Sequence, residues 1–481
     1  MGDVGPTGFG TVTYELGSRL IALGEDVRFI SQNDLGGVIP AMFIDRTLSM
    51  PSLIASITEL DTAGTAGASG VSEVVTDLIK GNCKVPLANG QPWGEWQADA
   101  VVMLGDFAIA RQLVSFTPAF ADLPTWHYCP IEGRDLPPLL ATDLWAYTRP
   151  VAMSNFGADE IAKVIGFRPP MIYHGVDTNV FHPIKPSNPV TLQGLSGKPV
   201  TIRTREECKQ MWGTYFATKI PGRRLADGKQ VSDKWMLRTD RHMPRKLYNA
   251  MLRALTPVLA LNAEAVLIIH CAASDFGGNL PDSVAKMPGA KRLTGDDHDV
   301  SKPESWSLFG RPYAQVILTN TVDVPRPGLV TLYNTADVYV STSAEGFGLT
   351  IAEALACGVP AVGLDYSAVP EVIGPAGKVV AASHEFDNIY DHKWAAPDEA
   401  LFGQTVHQLL NNPEQRQALG RKGPRHIRAT FSWDAAASQF ADLIRGNVWP
   451  PSPPSQTFET SLASPPPLAS SAPASSVATS S

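Results

Sequence analysis

The sequence predicts an α/β protein with parallel sheets, and three observations lead to this fold class. Short β-branched runs alternate with amphipathic helical patterns along the chain, as in consecutive βαβ units. The length of 481 residues corresponds to two or three domains, each large enough to bury a core. A glycine-rich turn with a glutamate on each side joins a predicted strand to a predicted helix, at the edge where open α/β sheets bind ligands. A two-domain enzyme fits these observations.

The elements follow in chain order from the spacing of their apolar residues. Short apolar, β-branched runs predict strands at residues 26–31, 99–104, 150–154, 170–174, 265–271, 337–342 and 360–365. Amphipathic patterns predict helices at residues 11–23, 157–166, 245–261, 349–357 and 435–445.

Changes in composition divide the chain. Pro, Gly, Lys and Arg crowd residues 182–235, and we place a domain boundary at the start of this stretch. The predicted parts are an N-terminal domain, a second domain, a C-terminal helix and a tail, at residues 1–182, 183–430, 431–448 and 449–481. The tail is rich in Pro, Ser and Ala, so we expect it to be disordered and removable. The polar stretch 275–312 reads as a long loop, which is usually functional or mobile.

Composition and charge exclude some classes of protein. With 39 basic and 47 acidic side chains, the net charge of -8 argues against general nucleic-acid binding, although a local basic pocket stays compatible with it. There is no 18-residue apolar run and no signal-peptide pattern, so we expect a cytoplasmic protein without a transmembrane segment. The five cysteines form no CxxC pair, which fits reduced thiols (Cys83, Cys129, Cys208, Cys271 and Cys357).

The glycine-rich turn indicates a ligand with both phosphate and hydroxyl groups. Gly346 and Gly348 allow the backbone to approach a ligand, and the free amides of the following helix favour an anion such as a diphosphate. Glu345 and Glu353 repel phosphate, and the neutral partners of carboxylates are hydroxyl groups. A nucleotide sugar carries hydroxyls on both sides of its diphosphate, so it is the ligand that this turn predicts.

These residues carry a resemblance to a known family. The stretch "EGFGLTIAEALACGVPAV", followed by "SAVPEVIG", resembles the signature of the fourth glycosyltransferase family, whose members are retaining enzymes with the GT-B fold of two facing Rossmann-like domains. "GPTGFGTVTYELGSRLIALGEDVRFIS" and "SNFGADEIAKVIGFRPPMIYHGVDTNVFHP" resemble other parts of the family in the same order. The resemblance covers about residues 5–445, apart from the loops at 185–235 and 275–312, and is closest to actinobacterial and phage-type members.

The resemblance assigns roles to the two domains and to residues around the turn. It implies that the Rossmann-like N-terminal domain lies on the acceptor side and that the Rossmann-like C-terminal domain binds the nucleotide-sugar donor. It implies that Glu345 contacts hydroxyls of the donor sugar and that Glu353 contacts the ribose. It also implies that the amides of Gly346, Phe347, Gly348 and Leu349 face the sugar and phosphates.

A basic segment, "LRTDRHMPRK" at residues 237–246, predicts the diphosphate site. Arg241 and Lys246 have the spacing at which the family places two cations on the leaving diphosphate, where they stabilise the charge that develops in the transition state. The family has a small residue and Gly before this Arg, where this chain has Thr239 and Asp240, so Arg238 is a rival for Arg241. With two cations present no metal ion is required, and we expect no cofactor besides the nucleoside diphosphate sugar as co-substrate.

The N-terminal loop "GDVGPTGFGT" places Gly5, Gly8 and Gly10 just before a predicted helix, which makes Gly8 and Gly10 candidate donor-binding residues. The family has a strand before this loop, whereas few residues precede it here. We therefore expect either a misassigned start or an N-terminal sheet that lacks its first strand.

The N-terminal domain offers two catalytic candidates. His127, at the end of a probable strand, has the place of a histidine that many family members carry near the reacting sugar, although a single His is more often structural. Asp106 has the same position after another strand and a weaker claim.

The predicted activity is transfer of a hexosyl group from a nucleoside diphosphate sugar to an unknown acceptor hydroxyl, with retained configuration. The alternatives are a non-catalytic sugar-nucleotide-binding protein and another GT-B enzyme such as a nucleotide-sugar epimerase.

Overall fold

The computed structural model describes most of the chain between residues 8 and 446, and all structural statements below concern these residues. The described ranges are 8–31, 47–49, 76–77, 80–81, 96–106, 110, 123–138, 145, 148–193, 198–219, 234–293, 303–319, 324–388 and 391–446. The predicted tail at 449–481, Gly5 and Cys83 lie outside them.

Helices occur from the first described residues to the last. In chain order they are α1 (Gly8–Ala22), α2 (Asn155–Ile165), α3 (Arg205–Lys219), α4 (Tyr248–Leu261), α5 (Leu280–Ala285), α6 (Arg326–Thr335), α7 (Leu349–Ala356), α8 (Val369–Ile373), α9 (Glu399–Leu410), α10 (Pro413–Thr430) and α11 (Trp433–Gly446). None of the described helices is long and apolar enough to cross a membrane.

The strands fall into N-terminal and C-terminal groups. The first group comprises β1 (Phe29–Ser31), β2 (Thr47–Ser49), β3 (Val101–Leu104), β4 (Thr125–Cys129) and β5 (Arg149–Ala152). The others are β6 (Val190–Gln193), β7 (Pro199–Ile202), β8 (Trp235–Thr239), β9 (Val266–His270), β10 (Ser274–Asp275), β11 (Gly278–Asn279), β12 (Lys291–Arg292), β13 (Glu304–Ser307), β14 (Val316–Leu318), β15 (Val338–Ser341), β16 (Ala361–Leu364), β17 (Gly377–Val380), β18 (Ala382–Asp387) and β19 (Lys393–Pro397).

The N-terminal domain contains a parallel sheet in the order β3-β4-β5 and a parallel pair of β1 and β2. The middle strand, β4, is buried along its whole length, as expected of a parallel strand covered on both faces. On α1, the buried residues Val12, Leu16 and Leu20 repeat every four positions and form the face that packs inward. This spacing is the signal that predicted the helix, although the helix begins three residues earlier than predicted.

The C-terminal domain is built on one large sheet in the order β12-β13-β14-β9-β8-β15-β16-β17. The strands from β14 to β17 in this order are parallel, and β12 and β13 form an antiparallel edge. The central strands β8, β15 and β16 are buried throughout because helices cover both faces. A parallel sheet in the N-terminal domain and a mostly parallel sheet in the C-terminal domain give the predicted fold class.

The stretch with the composition break is part of the second domain. Within it, β6 pairs with β7 in a hairpin, and α3 packs against α6, where Trp212 Nε1 donates to Thr331 Oγ1 at 3.0 Å. Lys209 on α3 forms a buried ion pair with Asp337 at 2.8 Å. Charged residues of this stretch are thus held by partners that lie far away in the sequence.

Two other expectations need correction. The described part of 275–312 is a series of short elements, β10 to β13 with α5, and it supplies the antiparallel edge of the large sheet rather than a loop alone. The predicted strand at 170–174 is reduced to a single bridge between Met171 and Ala152.

The two domains face each other and touch at several places. Glu371, at α8, accepts hydrogen bonds from the amides of Asn155 and Phe156 in the first turn of α2, at 2.9 and 2.7 Å. Arg326, at the start of α6, pairs with Glu15 on α1 at 2.9 Å. The facing arrangement creates a cleft at the sheet edges.

Helix α11 leads the chain back to the N-terminal domain. It packs against α1, and the Phe440 ring meets the Tyr128 ring of β4 edge-on at a centroid distance of 4.8 Å. Just before the helix, the Val176 amide donates to Phe431 O at 3.1 Å. The predicted helix at 435–445 thus lies at the crossing between the domains.

Candidate active site

Two segments singled out in the sequence meet at one edge of the large sheet. β8 and β15 are neighbouring parallel strands, so the segments that follow them lie side by side. After β8 the chain makes a 3₁₀ turn at Pro244–Lys246, and after β15 it turns through the glutamate-bearing segment into α7. Gly348 caps α7 with φ 105°, a left-handed conformation that glycine adopts without strain.

Glu345 lies in a buried cluster of charges. Its carboxylate accepts hydrogen bonds from Arg245 at 2.8 Å, from Ser343 Oγ at 2.5 Å and from the Lys246 ammonium. Lys246 also pairs with Asp240 at 3.1 Å. Burial by itself raises the pKa of Glu345, but the charges of Lys246 and Arg245 outweigh burial and hold that pKa well below its ordinary value. Glu345 is therefore an ionised carboxylate at neutral pH.

The two rival arginines have different environments. Arg238 is completely buried, where it forms an ion pair with Asp240 at 2.7 Å and lies over the Tyr248 ring. Arg241 has a side chain that is 60% exposed and forms a two-pronged pair with Asp275 at 3.0 Å. A phosphate can reach Arg241 directly, whereas it can reach Arg238 only if the core is unpacked. Arg241 is therefore the better candidate for binding the diphosphate.

Glu353 lies apart from the Glu345 cluster. Tyr333 donates its hydroxyl hydrogen to Glu353 Oε2 at 2.7 Å. Burial raises the pKa of Glu353 to about 7, against the opposing effects of the Tyr333 hydrogen bond and Arg326. The two glutamates thus sit in separate surroundings, one among cations and one against a tyrosine.

The glycine-rich turn packs against the other domain as well as forming part of the site. A side-chain carbon at Gly346 would lie 2.4 Å from Pro130 Cβ, so the space beside this glycine is filled by the N-terminal domain. The Phe347 ring packs between His174 and Phe431, at centroid distances of 5.0 and 5.2 Å. Leu349 is the first residue of α7. The close approach expected for Gly346 is therefore to Pro130, in the loop after β4, in this structure.

Gly8 and Gly10 belong to α1 rather than to a loop before it. Gly8 is the first helical residue and is exposed, whereas Gly10, two residues later in the same turn, is buried. The helix thus begins before the predicted residue 11 and includes both glycines, and its inner face packs on the core. Both glycines still lie in the first turn of a helix, the end whose dipole favours anions.

His127 lies in the middle of β4 and not at the end of a strand. Its ring is fully buried, with Nε2 at 3.0 Å from Gly105 O and Nδ1 accepting from Trp145 Nε1 at 3.4 Å. Burial lowers the pKa of His127 to about 4, despite the hydrogen bond to Gly105. With both nitrogens engaged, His127 here has a structural position, and the structure does not bring it into the Glu345 cluster.

Two groups that the sequence prediction missed complete the cluster. Arg245, which precedes Lys246, bridges the carboxylates of Glu345 and Glu132, with Arg245 Nε 3.0 Å from Glu132 Oε1. Glu132 lies just beyond the carboxyl end of β4, which is the signal that could have identified it. Asp106 follows β3 at the same edge and is exposed.

Comparison with known sequences finds a family match in the second domain. Residues 292–410 match the family described as Glycosyl transferases group 1. A GDP-mannose-dependent monoacylated alpha-(1-6)-phosphatidylinositol monomannoside mannosyltransferase of Corynebacterium glutamicum is 27% identical over 207 residues, which cover 43% of this chain and 45% of that protein. The chain thus matches less than half the length of this curated relative.

Comparison with solved structures extends the similarity to nearly the whole chain. A glycosyltransferase of Rickettsia africae superposes with a TM-score of 0.58 at 14% identity, covering 92% of this chain and 95% of the other. HepE of Anabaena, solved with UDP and glucose, superposes with a TM-score of 0.52 at 12% identity, covering 87% and 98%. The chain therefore has the GT-B fold that its sequence predicted, and its residues 292–410 match the group 1 glycosyltransferases.

Proposed function

We propose that this protein transfers a hexosyl group from a nucleoside diphosphate sugar to an acceptor hydroxyl, with retention of configuration and without a metal ion. The observation that supports the proposal most directly is the cluster of Glu345 with Lys246 at the edge where β8 and β15 end, next to the amino end of α7. A carboxylate for sugar hydroxyls thus lies beside a cation and free helix amides for phosphate.

The proposed donor would lie along this edge. Its diphosphate would take the place that Asp240 and Glu345 now occupy around Lys246, with Arg241 as the second cation. Its sugar would bond to Glu345, and its ribose would bond to Glu353 beyond the start of α7. Gly8 and Gly10, in the first turn of α1, would be the donor-binding residues of the N-terminal domain.

The chemistry of transfer follows from these positions. Breaking the bond between sugar and phosphate builds negative charge on the leaving phosphate, and fixed cations lower the energy of that state more than of the ground state. The departing phosphate oxygen can accept the proton of the incoming hydroxyl on the same face, which would retain configuration. Contact between the domains would exclude water and limit hydrolysis of the donor.

The experiment uses the full chain with UDP-glucose or GDP-mannose and measures release of the nucleoside diphosphate. Lys246→Ala and Arg241→Ala should each lower turnover more than donor affinity, by about 2–4 kcal/mol of transition-state stabilisation. Arg253→Ala is the control matched to Arg241→Ala. Arg253 on α4 is also an exposed arginine (62%), and it pairs with an acidic residue, Glu399 on α9.

Other outcomes point to other functions. Tight nucleotide binding with no turnover of either donor would support a non-catalytic sugar-nucleotide-binding protein. Conversion of one nucleotide sugar into another without nucleotide release would support an epimerase. NMR of the glycoside formed gives its anomeric configuration, and an inverted product would refute retention.

A further inference from the structure

The loop after β4 presses against the turn that carries Glu345. The Pro130 side chain fills the space beside Gly346, so the two loops touch across the domain boundary. Glu132 lies two residues beyond Pro130, in the N-terminal domain, whereas Glu345 belongs to the C-terminal domain. The two carboxylates therefore stand on opposite walls of one cleft.

One guanidinium joins these carboxylates, but it leaves them unequally satisfied. Arg245 contacts Glu132 at 3.0 Å and Glu345 at 2.8 Å. Glu345 also accepts from Lys246 and Ser343, whereas Glu132 has no second hydrogen-bonding or ion-pair partner among the residues described. The Glu132 side chain is 14% exposed. Glu132 thus retains an oxygen that a bound molecule can reach.

The chemistry and the position of Glu132 both indicate that it binds a hydroxyl group of the acceptor. An ionised carboxylate only accepts hydrogen bonds and is repelled by a diphosphate. The groups of this cluster that we propose for the donor, Glu345 and Lys246, belong to the C-terminal domain, and the N-terminal glycines proposed for the donor lie on α1 and not on the loop after β4. A molecule that meets Glu132 therefore enters from the N-terminal wall, opposite the donor.

We infer that Glu132 binds an acceptor hydroxyl that neighbours the one receiving the sugar, whose own proton goes to the leaving phosphate, and that the acceptor end bound there is therefore a sugar or another polyol. This inference rests on the proposed function. Because Arg245 holds both carboxylates, a hydroxyl on Glu132 lies next to a sugar on Glu345. Burial raises the pKa of Glu132 to about 7, with Arg245 opposing it, so this carboxylate is a strong hydrogen-bond acceptor when ionised.

The test compares transfer with hydrolysis in Glu132→Gln. The full chain is incubated with UDP-glucose or GDP-mannose and one of three probes: methyl α-D-mannopyranoside, methyl α-D-glucopyranoside or myo-inositol. Glycoside and free hexose are quantified, and the donor Kd is measured by calorimetry. Glu385→Gln is the matched control, since Glu385 also pairs across the domains, with Arg134 at 2.7 Å, but outside the charge cluster.

We expect Glu132→Gln to lower the ratio of glycoside to free hexose about tenfold or more and to raise the KM for the probe. The donor Kd should change by less than about threefold, and Glu385→Gln should resemble the unmodified protein in every readout. A Glu132→Gln protein with an unchanged ratio, or one whose donor Kd weakens as much as its ratio falls, overturns the inference.

Two results with the unmodified protein are also decisive. If it hydrolyses a donor but glycosylates none of the probes, the assignment of a polyol acceptor is wrong while the donor site stands. If it neither binds nor cleaves a donor, the proposed function itself fails, and the role of Glu132 fails with it.

Discussion

At the scale of single residues, environment separates side chains of the same type. Glu345 and Glu353 are eight positions apart on one turn and helix, yet cations keep the pKa of the first low and burial raises the pKa of the second. Arg238 and Arg241 diverge in the same way, because one is in the core and the other is exposed. Chemical type is readable from sequence, whereas ionisation and access depend on neighbours.

The two glutamates should therefore fail differently when each is changed to glutamine. Glu345→Gln should depress turnover and leave affinity for the free nucleoside diphosphate nearly intact, because the proposed sugar contact changes during transfer. Glu353→Gln should weaken binding of both donor and free nucleoside diphosphate, by roughly 1.5–3 kcal/mol for one hydrogen bond to a charged group. Calorimetry and initial rates on both variants check this. Equal, small effects would mean that neither carboxylate touches the donor.

The pKa of Glu353 predicts a pH dependence of nucleotide binding. Ribose hydroxyls donate to the carboxylate, so binding favours the ionised form and weakens as pH falls through about 7. Between pH 8 and pH 6, affinity for the nucleoside diphosphate should fall by about tenfold more in the unmodified protein than in Glu353→Gln. The nucleotide's own phosphate titration affects both proteins alike, so their difference isolates Glu353. Parallel pH curves would contradict the assignment.

At the scale of elements, the glycine-rich turn has to satisfy two demands. Gly348 supplies a left-handed backbone that starts α7, and Gly346 leaves room for the loop after β4. The second demand comes from the other domain, so local turn chemistry alone does not reveal it.

Gly346→Ala tests the contact between these loops. The new carbon would lie 2.4 Å from Pro130 Cβ and 2.7 Å from Pro130 Cα, and the backbone there cannot yield as a flexible side chain would. We expect turnover to fall while binding of the free nucleoside diphosphate is largely kept, and small-angle scattering to show a larger radius of gyration. Gly105→Ala is the control, because no heavy atom lies within 4 Å of its added carbon. Unchanged kinetics in Gly346→Ala would show that this contact is not needed for activity.

At the scale of the whole molecule, the domains are joined twice. The chain passes from the N-terminal to the C-terminal domain once, and α11 then returns to pack on α1. Polar contacts also join the domains. Glu371 of α8 accepts from an amide in the first turn of α2, and Arg326 pairs with Glu15. The return of α11 makes the C-terminal helix part of the N-terminal core.

Truncation should distinguish the helix from the tail. A chain ending at residue 448 should keep the melting temperature and activity of the full chain. The reason is that the sequence predicts disorder for the removed residues, 449–481. A chain ending at residue 431 should lose both, since it lacks α11. Phe440→Ala leaves the length unchanged and should cost ~3–5 kcal/mol, because Phe440 is fully buried. A large fall in melting temperature on removing 449–481 would refute the prediction for the tail.

The sequence alone determined the fold class, most strands and helices tested, and the turn with its two glutamates, because these depend on local periodicity and short motifs. Tertiary structure decided what depends on distant partners. It placed Glu132 against Arg245, buried Arg238 and His127, and filled the space beside Gly346. Charges and packing act through space, so residues more than 200 positions apart set each other's ionisation and access, as Glu132 and Glu345 do through one guanidinium.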